Sequence, residues 1–147
     1  MELQVESLLR GGQFKQILDN YVRNLREKYD LKRIEIEVLY YLSHNTTHNS
    51  AKDISFSLHM NKGHVSQTTD SLSKKGYITA SKDTVDYRIM HYTITNEANC
   101  VVEEIDAAID RLYTVLFEGI SVEEQAIFAH IAGQIASNIN RFLQQKP

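Results

Sequence analysis

The chain has 147 residues, 42% hydrophobic and 24% charged, with a net charge of −3 and one cysteine. That is one ordinary globular domain's worth of chain with enough apolar content for a core. Cys100 has no partner for an internal disulfide and suits a reducing compartment. No apolar run approaches the roughly 18–20 residues a bilayer span needs. The N-terminus MELQVESLLR lacks the blocks of a signal peptide. The expectation is a cytoplasmic chain with no membrane partner.

Helical spacing opens the chain. From about Leu8 to Tyr29, Phe14, Ile17, Leu18, Tyr21 and Leu25 recur every three or four residues and predict one apolar helix face. Gly11 and Gly12 predict a kink or a late start. Asp30 is the expected N-cap of a second helix, in which Leu31, Ile34, Val38, Leu39 and Leu42 form the stripe. The polar stretch from His44 to Asn49 ends it.

Ser50 with Asp53 predicts a capped short helix over 51–59, burying Ile54 and Leu58. Asn61 then caps a helix running from about Lys62 to Lys75. Its apolar face is Val65, Thr68, Thr69 and Leu72, and its polar face holds Lys62, Gly63, Ser66, Gln67 and Asp70. Gly76 stands where a C′ glycine ends a helix. Two short helices so joined are a helix-turn-helix.

The period then changes. Residues 77–82 and 87–94 are rich in aromatic and β-branched side chains around the polar turn 83–86, which predicts a hairpin. Helical spacing returns after Thr95 with Val101, Ile105, Ala108, Ile109, Leu112 and Leu116, and stops at Gly119. Ser121 to Glu124 is a capping box for a last helix carrying Ile127, Phe128, Ile131, Ile135, Ile139 and Phe142.

Charge is uneven along this order. Residues 50–92 hold six basic side chains (Lys52, Lys62, Lys74, Lys75, Lys82, Arg88) and four acidic ones (Asp53, Asp70, Asp83, Asp86), a balance of +2 that leaves −5 elsewhere. A mildly basic middle between acidic flanks suits a protein that turns one face to phosphates. No HExxH, phosphate-cradling glycine loop or GxSxG motif is present. The six histidines are scattered. Neither an enzyme, a metal site nor a cofactor is expected.

Taken together, these segments resemble the MarR family of regulators over nearly the whole chain. Residues 31–42 are similar to its second helix, and Asp53-Ile54-Ser55 through Leu58 to the opening of its short helix. Val65-Ser66 with Leu72 and Lys75-Gly76-Tyr77-Ile78 is similar to its recognition helix and the exit from it. The wing Asp83-Thr84-Val85-Asp86-Tyr87-Arg88, followed by Ile94-Thr95, matches a family pattern of Asp, two variable residues, Asp, one variable residue and Arg, then a Leu-Thr pair. The wing departs from the family's more basic form at Ala80 and Tyr87, and Ala98 replaces a usual Gly.

The resemblance implies a mainly α fold with a small β-hairpin wing, a winged helix-turn-helix lobe over 30–94 and helical dimerisation regions over 1–29 and 95–147, all one domain. It implies a homodimeric repressor responsive to a small-molecule effector and bound to pseudo-palindromic double-stranded DNA. The apolar faces of the first and last two helices, with Val102 and Tyr113 outside the main stripe, are expected to form the dimer.

On the exposed face of the recognition helix, Lys62, His64, Ser66 and Gln67 have the donors and acceptors to read base edges, with Gln67 able to bond adenine bidentately. Ser50 and Lys52 stand at a helix start, whose free N–H groups bind phosphate. By the resemblance, Arg88 enters the minor groove with Asp86 holding its fork. The alternative is a winged helix that serves protein interaction and binds no specific DNA. Tyr21, Tyr40, Tyr41 and Arg111 are chemically suited to an effector pocket, yet aromatic residues at helical spacing are more often core. Cys100 is expected as a small buried hydrophobe.

Overall fold

The computed structural model describes residues 3–145, seven α-helices and, among those residues, one two-stranded antiparallel sheet. The elements are α1 (Leu3–Arg10), α2 (Gly12–Tyr29), α3 (Arg33–His44), α4 (Ala51–Leu58), α5 (Lys62–Lys74), β1 (Ile78–Lys82), β2 (Met90–Ile94), α6 (Asn99–Leu116) and α7 (Val122–Gln144). A short 3-10 turn at Asn96–Ala98 leads into α6. No described helix is long and apolar enough to cross a membrane.

The described residues fall into two compact units that divide between Leu112 and Tyr113. The first holds the core. Val22 of α2, Ile36, Val38, Leu39 and Leu42 of α3, Ile54 of α4, Val65 and Leu72 of α5, Ile78 of β1 and Val101, Ile105 and Leu112 of α6 are all buried in one cluster. The stripes expected on α3, α5 and α6 are therefore core faces, except that Ile34 is half-buried and Leu116, at the end of α6, is exposed; Leu58 of α4 is half-buried at the edge. In the second unit Ser121 caps α7 and pairs reciprocally with Glu124, as the capping box predicts. Phe117 and Phe128 meet edge-on at 6.1 Å. Ile127, Phe128, Ile131, Ile135 and Ile139 of α7 are exposed.

Several expectations are corrected. The first helix breaks fully at Gly11, whose φ of 68° is left-handed, so α1 and α2 are separate and Phe14 is exposed. Asp30 does not start α3. It ends α2 at φ 50°, its amide bonded to the Arg26 carbonyl, and the α3 cap position falls to Lys32. There Glu35 Oε2 accepts the Lys32 amide at 2.7 Å. Thr95 does not cap α6. Its hydroxyl donates to the Gly76 carbonyl at 2.6 Å and its amide to that of Tyr77 at 3.0 Å.

The end of α5 follows the expected form. Gly76 takes φ 78°, the Tyr77 amide bonds the Leu72 carbonyl and the Gly76 amide that of Ser73, each at 3.0 Å, which is a Schellman motif. Beneath it lies a buried ion pair that the stripes do not announce. Glu35, 1% exposed, accepts from Ser71 Oγ at 2.5 Å and from Lys75 Nζ at 3.1 Å. Burial works to raise the Glu35 pKa, but hydrogen bonds from Ser71, the Lys32 amide and Lys75 outweigh it and hold the carboxyl below its ordinary value.

Candidate nucleic-acid interface

Helix α5 owes its two faces to its sequence. Val65, Thr68, Thr69 and Leu72 are buried, while Lys62, Gly63, His64, Ser66, Gln67 and Asp70 are exposed. The threonine hydroxyls in the buried face are satisfied locally, Thr68 on the His64 carbonyl at 2.8 Å and Thr69 on that of Val65 at 2.9 Å. Asn61 accepts the His64 amide at 2.8 Å and so starts the helix where the cap was expected. The polar face thus carries no duty to the core.

The short helix α4 presents its start nearby. Ser50 Oγ accepts the Asp53 amide at 3.2 Å and donates to Asp53 Oδ2 at 2.6 Å. That hydroxyl proton is already committed and Ser50 is buried, so its role is the cap. The Ser50 hydroxyl, then its amide, hold the Asp53 carboxyl below the ordinary carboxylate range. Lys52 stays exposed in the first turn.

The wing is longer in its loop than the sequence predicts. Strands β1 and β2 pair from Ile78 with Ile94 to Lys82 with Met90, so Tyr87 to Ile89 leave the ladder. Asp83 causes this. Its Oδ1 accepts the amides of Val85 and Asp86 at 2.8 Å, a second turn bonds the Ile89 amide to the Asp86 carbonyl at 2.9 Å, and the Asp83 amide closes the loop on Ile89. The Asp86 amide first, then His91 and the Val85 amide, bring the Asp83 pKa down to about 2. Asp86 grips Arg88 with both oxygens, at 3.0 Å on Nε and 3.1 Å on Nη2, while the arginine side chain stays 90% exposed. This bidentate pair lowers the Asp86 pKa and raises that of Arg88.

Three of these parts share a cleft of about 580 Å³, lined by Ser50, Ala51 and Lys52 of the α4 start, Lys62 of α5, and Arg88, Ile89 and Met90 of the wing. Cations from three elements converge there. His64, Ser66 and Gln67 lie outside that lining, on the open face of α5. Lys75 lies outside that lining, its ammonium bonded to Glu35 and to the Asp30 carbonyl. Tyr21, Tyr40 and Tyr41 pack half-buried against the core, and Arg111 is exposed. Cys100 is exposed too, contrary to expectation, because it stands one position off the buried α6 stripe at Val101.

Sequence reasoning missed Asn49 and His91. Residues 49 and 50 run beside β2 as a third, one-rung edge, with Ser50 bridging His91 and the Asn49 carbonyl accepting the Tyr92 amide at 3.0 Å. A histidine at a half-buried strand position was the available signal.

Residues 31–98 match the family model for a winged helix DNA-binding domain. Those residues have the winged helix fold. The likeness to MarR-family regulators also holds across the whole fold. A MarR protein from Peptoclostridium difficile superimposes with a TM-score of 0.79 at 18% identity, covering 99% of this chain and 94% of that one. A MarR transcriptional regulator from Methanosarcina mazei gives 0.70 at 17% identity, covering 93% and 94%. The S. aureus MepR–DNA complex gives 0.67 at 20% identity, covering 99% of both chains. No curated protein matches the chain.

Proposed function

We propose that this protein is a sequence-specific, double-stranded DNA-binding transcription regulator acting as a homodimeric, effector-responsive repressor, and not an enzyme. The observation that carries the reading is the wing. An arginine held bidentately yet nine-tenths exposed stands over a cleft shared with Lys52 and Lys62, beside the open polar face of the winged helix domain's α5. In this reading Gln67 bonds adenine in the major groove, His64 and Ser66 reach base edges or phosphates, Lys62 and Lys52 take phosphates, and Arg88 enters the minor groove with Asp86 fixing its fork. The S. aureus relative of the same fold was solved with DNA.

The dimer is supported by apolar surface. Val5, Leu8 and Leu9 of α1 and Ile127, Phe128, Ile131, Ile135 and Ile139 of α7 are exposed, more than a monomer usually shows water. A second copy satisfies this, and two-fold symmetry then matches an inverted-repeat operator.

The test is selection of random duplex DNA by the purified protein at about 150 mM salt. The reading expects an enriched inverted repeat with half-sites about ten base pairs apart. No enrichment by a folded dimer rejects it in favour of a protein-interaction module. The wing tip favours that second reading, since Val85 and Tyr87 are 90% and 72% exposed where a phosphate-binding wing carries cations. A flat salt dependence of any residual DNA binding would identify the module.

A further inference from the structure

The wing hangs on one histidine. His91 of β2 has Nε2 2.9 Å from Asp83 Oδ2 and Nδ1 2.7 Å from Asn49 Oδ1. Asp83 gathers the Val85 and Asp86 amides with its other oxygen, and Asp86 holds Arg88. Asn49 immediately precedes the α4 cap and is buried. A continuous run of hydrogen bonds therefore leads from the start of α4, through the His91 ring, to the guanidinium over the cleft.

We propose that His91 is the positioning residue for Arg88, tying the wing turn to the start of α4 through both ring nitrogens. The proposal rests on the DNA-binding reading. Both ring nitrogens are engaged, one on the wing's carboxylate and one on the buried Asn49 amide, so the ring holds the two ends of the tie at a fixed separation.

The Asp83 carboxylate makes its bond to the ring charge-assisted, and such bonds are about twice as strong as neutral ones.

The experiment compares wild type with His91→Gln by duplex affinity at constant salt and by the NMR signals of the Val85 and Asp86 amides. His91→Gln is expected to shift both amide signals and to lose about tenfold in affinity with melting unchanged. In an Arg88→Ala background the same substitution is expected to cost nothing further, since His91 acts through Arg88.

Asp83→Asn is the second variant. It keeps an oxygen for the two turn amides and replaces the carboxylate facing the ring with a neutral amide, so it too should weaken duplex binding and shift the Asp86 amide signal. Wing amides unmoved by His91→Gln, or full additivity of His91→Gln and Arg88→Ala, would overturn the proposal. Wing amides that move in His91→Gln while wild-type protein binds no duplex would sink the DNA-binding reading and leave the tie from ring to wing supported.

Discussion

Helices α6 and α7 both place apolar side chains every third or fourth residue, yet they end differently. Helix α6 buries Val101, Ile105, Ala108, Ile109 and Leu112, whereas α7 has no buried residue among those described. Their sequence signals are of equal quality. The difference teaches that periodicity specifies a helix with an apolar face and is silent on what covers that face. In α6 the cover is the chain's own core. In α7 the apolar face is left for a partner, which we propose is a second copy.

Substitutions can break or sharpen that contrast. Leu39→Ala, at a fully buried site in the first unit, should cost about 3 kcal/mol in urea unfolding. The same truncation of Ile131 in dilute protein should cost less than about 0.5 kcal/mol, because its side chain already meets water. Ile131→Glu should instead move sedimentation from dimer to monomer, and an unchanged dimer would remove α7 from the interface.

Glu35→Gln should cost about 2 kcal/mol, since it leaves Lys75 and Ser71 facing a neutral amide. It also tests pH. The folded-state pKa of Glu35 is depressed, so its contribution is present above the ordinary carboxylate range and lost as pH falls through the folded value. The variant's stability should therefore fall less steeply than wild type's in acid, as melting curves between about pH 3 and pH 7 would show. Arg88→Ala should weaken duplex binding about tenfold with melting unchanged. Cys100→Ser should shift neither quantity, its thiol being exposed on α6.

Much of the lobe is legible in sequence because its signals are local. The caps at Ser50, Asn61 and Ser121 and the glycine stop after α5 are short-range chemistry, and each stands where expected. The Asp86 and Arg88 pair is two residues apart and equally readable. What failed depends on distant partners or on backbone conformation. Asp30 has a capping side chain, but the α2 exit bends it into a left-handed conformation. Glu35 lies 36 residues from Ser71 and 40 from Lys75, so no spacing rule finds it. His91 reaches Asn49 across 42 residues, through an edge pairing that hydropathy does not mark. The candidate interface was thus readable in the residues it presents and hidden in the residues that hold them.

The bond from Thr95 to the Gly76 carbonyl has a mechanical meaning. It rivets the exit of α5 to the entry of α6, and the Tyr77 carbonyl adds a second rivet through the Thr95 amide. Rotation of one helix then drags the other, as two spokes share a hub. In a symmetric pair of copies, a tilt of α6 would swing both α5 helices in opposite senses and reset the distance between them. That distance must equal a whole helical turn of DNA for both to enter adjacent grooves.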